Sequence, residues 1–192
     1  MINKKLAVVA ALIAVSFSNP TFSAPVTQST SPASADSYWY GNGWNWQTLG
    51  SVTLATGTNN ILGLTSTATV VDQGWGGQDP NNGVRIGLFD NASLIWNTIV
   101  AGADHNWTTH NYDINNSPSD LSALEGALST VNWSNTITLQ MFTTPFAYPG
   151  WELHVQDASF SVTSDVPEPA SLALLGLALA GLGAMRLKQK SA

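Results

Sequence analysis

The chain has 192 residues, room for one ordinary domain plus terminal segments. Five of its six basic residues lie in the two ends, so between Ala24 and Asp165 one cation, Arg85, faces eleven carboxylates; that balance repels a phosphate backbone and excludes nucleic-acid binding. Cysteine is absent, which excludes disulfides, thiolate metal sites and thiol nucleophiles and leaves the fold to rest on its core alone.

MINKKLAVVAALIAVSFSNPTFSA opens on Lys4 and Lys5, runs apolar from Leu6 to Phe17 and turns polar after Pro20. Those three parts in that order read as a secretory signal peptide, and the apolar run is too short to span a membrane comfortably. Thr21 and Ser23 are the small residues that a signal peptidase needs, so the signal helix over 1–23 is expected to be cut off after Ser23. Ala33-Ser34-Ala35 is a second, more distant site. Residues 24–37, APVTQSTSPASADS, hold almost no large apolar side chain. Burial cannot offset their ordering entropy, and a flexible leader is predicted.

From 38 to 164, short apolar and β-branched runs alternate with Gly, Asn, Asp and Pro at the spacing of an all-β fold, a single β-sandwich. Strands are predicted at 49–55, 61–71, 84–89, 94–100, 107–113, 136–142 and 151–163. In GVRIGLFDNASLIWNTI, the stretch from Asp90 to Ser93 is a compact link between two apolar runs and predicts a hairpin. Val84, Ile86 and Leu88 take its core face. Further on, SPSDLSALEGALSTV places Leu121, Leu124, Leu128 and Val131 at helical spacing, with Pro118 suited to the first helical position and Ser117 and Asp120 related as in a capping box. One short helix near 118–130 is expected to cover an open end or edge of the sandwich.

The last strand changes phase. Trp151, Leu153 and Val155 share one face but Ala158, Phe160 and Val162 share the other, so a bulge near Gln156 and Asp157 is needed to keep both sets inward. With its aromatic start, acidic bulge and apolar end, WELHVQDASFSVT resembles the closing strand of galactose-binding-like jelly rolls, and the DQGWGG and NNGVRIGLFDNASLIWN stretches are similar to their central hairpin. Over residues 60–163 the resemblance implies a jelly-roll-like sandwich and no particular function.

Eight tryptophans are many for this length, and YWYGNGWNWQ concentrates three of them with two tyrosines. Indole faces stack on sugar rings, whereas a small cysteine-free sandwich also needs bulky core residues, and core filling is the commoner use of any single Trp. Trp44 and Trp46, two apart and so on one face of a strand, are the first choice for an exposed glycan platform. Arg85, outward on its strand, is a candidate clamp for a ligand hydroxyl or carboxylate, weighed against a structural ion pair with one of the many acids. The loop DQGWGGQDPNNG combines carboxylates, amide oxygens and glycines, chemistry suited to calcium. Asp72, Asp79 and Asp90 are its candidate ligands, against plain turn-forming roles. No other cofactor is expected.

His105, His110 and His154 show no zinc spacing. Glu125, Glu152 or Asp157 would have to supply the paired acids of a glycosidase, and GxSxG, phosphate-loop and dinucleotide motifs are absent, so no enzyme is expected.

The chain ends VPEPASLALLGLALAGLGAMRLKQKSA. Leu172–Met185 is fourteen residues without a charge, about 21 Å of helix against a hydrocarbon layer of roughly 30 Å. Arg186, Lys188 and Lys190 can snorkel to the cytoplasmic headgroups, so a short transmembrane helix is expected, and Pro167 and Pro169 stop it from running upstream. Val166-Pro167-Glu168-Pro169-Ala170-Ser171, then the Leu/Ala/Gly run, then the basic end resembles a PEP-CTERM sorting signal, a segment also known as the ice-binding protein C-terminal domain without implying that ice is bound. The resemblance implies export across the inner membrane of a Gram-negative bacterium that makes extracellular polysaccharide. It implies recognition of Pro167, Glu168 and Pro169 by the membrane enzyme exosortase, and a C-terminal anchor in the membrane that precedes display at the cell surface or in the matrix.

The organisation expected is thus a signal peptide (1–23), a leader (24–37), a sandwich (38–164) and a sorting signal (165–192). Signal peptidase, exosortase, the membrane, and exopolysaccharide or another glycan are the expected partners. The sandwich is expected to bind carbohydrate without catalysis; a purely structural matrix protein and a secreted polysaccharide hydrolase are the competing readings.

Overall fold

A computed structural model describes residues 24–39, 46–74, 81–145 and 150–166. Within them the strands are β1 (Ala24–Ser29), β2 (Ala33–Trp39), β3 (Thr48–Thr53), β4 (Ile61–Asp72), β5 (Gly83–Asp90), β6 (Ser93–Gly102), β7 (Thr108–Asp113), β8 (Ile137–Thr144) and β9 (Trp151–Val166), with a helix α1 (Pro118–Leu128) between β7 and β8. One sheet has the order β1-β9-β4-β7 with β2 also on β9, and the other β3-β8-β5-β6. The antiparallel pairs β2·β9, β3·β8, β4·β7 and β5·β6 are nested. The chain is therefore one long antiparallel ribbon tipped by the β5–β6 hairpin, wrapped so that β9 meets β4 and β8 meets β5. That is a jelly roll, the architecture that the strand pattern and its resemblance predict.

The ribbon closes because alternate side chains face inward. Val84, Ile86 and Leu88 on β5, Leu64 and Val70 on β4, Leu139 and Met141 on β8, and Leu153 on β9 are all fully buried. At the tip, Asp90 pairs with Ser93 and Asn91 takes a φ of 52°, a left-handed conformation that Asn tolerates.

Residues 24–37 are the main departure from expectation. Instead of a flexible leader they form β1 and most of β2, laid end to end along β9. Small polar residues offer no hydrophobic signal, yet here backbone pairing and a hydroxyl ladder order them: Thr27 Oγ1 to Thr163 Oγ1 at 2.8 Å, Ser29 Oγ to Ser161 Oγ at 3.0 Å, and Thr30 N to the Phe160 carbonyl at 2.9 Å. The compact unit accordingly spans Pro25–Val166 rather than beginning at residue 38. The signal peptide and residues 167–192 of the sorting signal lie outside the described residues, and among those described no helix is long and apolar enough to cross a membrane.

β9 carries the expected bulge. Its register slips between Ser159 and Gln156 against β4, and between Ala158 and Val155 against β2, so one residue is extra on both sides. Asp157, at φ 52°, absorbs it. Leu153, Val155, Ala158, Phe160 and Val162 are all buried as a result.

α1 lies against β6, with Leu124 and Leu128 buried. The capping box does not form: Ser117 makes no side-chain cap bond, and Asp120 instead accepts from Tyr112 Oη at 2.9 Å and Thr98 Oγ1 at 3.0 Å. A carboxylate that ties β6 and β7 to the helix serves the edge better than a cap bond. Burial, then the hydrogen bond to Asp120, push the Tyr112 phenol above its usual range.

Candidate functional site

The outer face of the four-stranded sheet holds two of the side chains singled out from sequence. Trp46 is 39% exposed, but its ring packs on Phe142 (centroids 5.0 Å apart) and edge-on to Phe89 (6.1 Å), so it roofs an aromatic cluster. Arg85 also points out of this face. It donates to amide oxygens, Nη1 to Asn97 Oδ1 at 2.7 Å and Nη2 to Asn81 Oδ1 at 3.4 Å, while its Nε is buried without a hydrogen-bond partner. Among the described residues the expected ion pair with an acid is not made, and burial lowers the pKa of Arg85; a guanidinium nevertheless stays charged. Trp44 lies outside the described residues.

The calcium set does not come together. Asp72 ends β4, where Oδ1 accepts from Gly74 N at 2.8 Å and bonds His105 Nδ1 at 2.7 Å, and where Oδ2 is buried without a partner. Asp90 ends β5, where it accepts from Asn132 N at 3.1 Å and Asn135 Nδ2 at 2.6 Å and so holds the hairpin tip to the following loop. Asp72 sits beside the start of β5, through its N–H to the Asp104 carbonyl just beyond β6, so the length of β5, roughly 23 Å, separates it from Asp90. One ion cannot bridge that distance. Asp79 is outside the described residues, and among these no three metal-binding side chains converge. Glu152 and Asp157 stand on one strand roughly 15 Å apart, wider than the about 5–9.5 Å of glycosidase acid pairs, and Glu125 is on α1.

The outer face of the five-stranded sheet is different in kind. Strand register lines up its outward side chains in rows. The first is Asp36 on β2, His154 on β9 and Val71 on β4, continued by Trp107 just before β7, a residue that is 49% exposed. The next rows are Gln156, Thr69 and Thr109, then Ser159, Thr67 and Asn111, then Ser161, Thr65 and Asp113. An open depression of about 660 Å³ lies over the first row, bordered by Asp36, Gln47, Trp107, His154 and Asp157. A second, of about 530 Å³, lies over the hydroxyl rows.

His154 is the electrostatic centre of the first row. Its Nδ1 bonds Asp36 Oδ1 at 2.7 Å, its Nε2 bonds Glu152 Oε2 at 3.2 Å, and the Tyr38 ring meets it edge-on. The Asp36 bond, aided by Glu152 and opposed by partial burial, raises the imidazole pKa above its ordinary value. The depression thus borders on an exposed indole, an imidazole clasped by two carboxylates, and Gln156 from the next row.

Sequence reasoning did not single out Trp107 or the threonine rows. The signal is present in LTSTATVV, where Thr65, Thr67 and Thr69 alternate with Leu64, Ser66 and Ala68. Period two predicts a strand, and the hydroxyls on its solvent side are a repeated surface chemistry.

Fold and surface together describe a small jelly roll, one outer face of which is a polar sheet bearing, among the described residues, an exposed indole. The last strand stops at Val166, and residues 165–188 match the PEP-CTERM protein-sorting motif. Pro167, Glu168 and Pro169 fall inside that match, as do Arg186 and Lys188, whereas Lys190 lies past its end. The motif marks the chain for export and exosortase sorting, with a C-terminal anchor. No curated protein matches the chain. Among solved structures it is similar to the infectious bursal disease virus Gx strain particle, at 14% identity and a TM-score of 0.41 over 76% of this chain and 33% of that one. It is also similar to a cyclase from Fischerella sp. TAU, at 13% identity and 0.33 over 75% and 77%. The chain spans about a third of the length of the viral chains it matches.

Proposed function

We propose that the Pro25–Val166 sandwich is a non-catalytic carbohydrate-binding module, carried to the cell surface or exopolysaccharide matrix by the sorting signal. The observation that supports this reading is the first row of the five-stranded sheet. Trp107 stands 49% exposed beside an open depression, whose far side is bordered by His154, Asp36 and Gln156, two to three strands away. An exposed indole takes the apolar face of one sugar ring, and the acceptors and donors across the depression take the hydroxyls of the next.

Arg85 and Trp46 stand on the opposite outer face and are no part of this patch. Trp46 serves packing, and Arg85 is held by two asparagines. The buried core of the described residues lies within Pro25–Val166, so that segment is the material to test. On an array of bacterial glycans, with and without calcium, we expect binding that Trp107→Ala abolishes. An array blank under both conditions would remove the reading.

A further inference from the structure

We infer that the ligand is an uncharged, extended polysaccharide chain, gripped along several consecutive sugar rings by the outer face of the five-stranded sheet; this rests on the carbohydrate reading above and specifies its substrate class. The two depressions are parts of one track. They follow one another along β9, the first lined by His154, Gln156 and Asp157, the second by Ser159 and Ser161 together with Thr65 and Thr67 of β4. From Val71 to Thr65 the track runs roughly 20 Å at about 3.3 Å per residue. That is far longer than one ring needs.

Past the first depression, which Asp36 and Asp157 border, the outward side chains of the paired strands are hydroxyls and amides until Asp113, which accepts from the Asn115 N–H at 2.9 Å. The hydroxyls are paired across strands, Thr69 with Thr109 at 2.8 Å and Ser29 with Ser161 at 3.0 Å, while Thr67 donates to Asn111 at 2.6 Å. A hydroxyl carries one donor and two acceptor positions. The Thr69–Thr109 pair uses one O–H between its members and keeps the other O–H and spare lone pairs, and Asn111 still carries its amide N–H groups, so these rungs can give and receive a hydrogen bond, whereas the Ser29–Ser161 rung, whose Ser161 hydroxyl donates to the Gln28 carbonyl, can only receive one. A polyol chain lying along the strands meets such a rung repeatedly, and pre-pairing fixes the rotors before it arrives.

Charge decides between neutral and acidic chains. Eleven carboxylates against one guanidinium lie between Ala24 and Asp165. That guanidinium is on the other sheet, and the imidazole on this face is already clasped by Asp36 and Glu152. A uronic-acid polymer would be repelled, so the occupant is a neutral one.

The test is titration calorimetry of the full chain in mild detergent. The probes are cello-, laminari- and manno-oligosaccharides from disaccharide to octasaccharide, with oligogalacturonides of the same lengths. Affinity for the preferred neutral series should climb steadily with length, and the oligogalacturonides should not bind. Asn111→Ala, an exposed change at the far end of the track, should weaken the octasaccharide about fivefold, the worth of one hydrogen bond, and leave the disaccharide unaffected. Disaccharide and octasaccharide binding equally, or oligogalacturonides binding as well as neutral chains, would overturn the extended neutral track while leaving the carbohydrate reading in place. Failure of every oligosaccharide would overturn both.

Discussion

The two outer faces of this jelly roll carry comparable tools and put them to different uses. On the four-stranded sheet, Trp46, Phe89 and Phe142 close over one another and Arg85 is fastened to two asparagines; the aromatic side chains face each other more than they face water. On the five-stranded sheet, short hydroxyl side chains pair with one another across the strands and Trp107 is 49% exposed. The contrast teaches that an outward tryptophan is not in itself a binding residue. What its ring already touches decides.

If the four-stranded face is structural, its damage must appear as lost stability. Phe142→Ala empties a site that is 2% exposed and should cost about 3–5 kcal/mol in a denaturant titration, with glycan affinity of the folded fraction unchanged. Gly87→Ala comes next. A Cβ there would stand 2.6 Å from Leu94 Cδ1 and 3.0 Å from Phe142 Cε1, so about 1–3 kcal/mol is expected from overpacking. Loss of glycan binding in either variant without loss of stability would erase the distinction between the faces.

On the five-stranded face the stability effects should be small. Asp157→Val forces a β-branched residue into φ 52° at the bulge and should cost about 1–2 kcal/mol, whereas Asp157→Gly should be tolerated. His154→Gln should cost under about 1 kcal/mol, because Asp36 is largely exposed, and the loss should depend on pH. The folded imidazole has the raised pKa, so its pairing stabilises fully below the ordinary value of about 6.5 and fades as pH rises through the folded value. Melting curves of the two proteins should differ most near pH 5 and converge in mild alkali; a gap that widens with pH would mean that His154 is held neutral.

The same contrast explains what was legible in the sequence. Alternation in GVRIGLF and TITLQMF placed the core strands because burying one face leaves a period-two mark, and the phase change at Gln156 and Asp157 located the bulge for the same reason. β1 and the start of β2 left no such mark, since their order comes from backbone pairing and Thr–Thr bonds rather than from burial. The tail was readable because a sorting signal is recognised as a linear motif. The binding face was not: it is assembled from β2, β4, β7 and β9, and its rows exist only once register is set. Tryptophan density pointed instead to the 38–47 stretch, where Trp46 answers a packing need.

The central claim is that the bare indole, and not the packed one, meets the ligand. Side-by-side calorimetric titration of wild type, Trp107→Ala and Trp46→Ala with the preferred neutral oligosaccharide, paired with their melting temperatures, tests it most directly. Trp107→Ala should lose at least about tenfold in affinity, near 1.4 kcal/mol, at an unchanged melting temperature, and Trp46→Ala should melt earlier with its affinity intact. Full affinity in Trp107→Ala, with binding lost in a still-folded Trp46→Ala, would contradict the account.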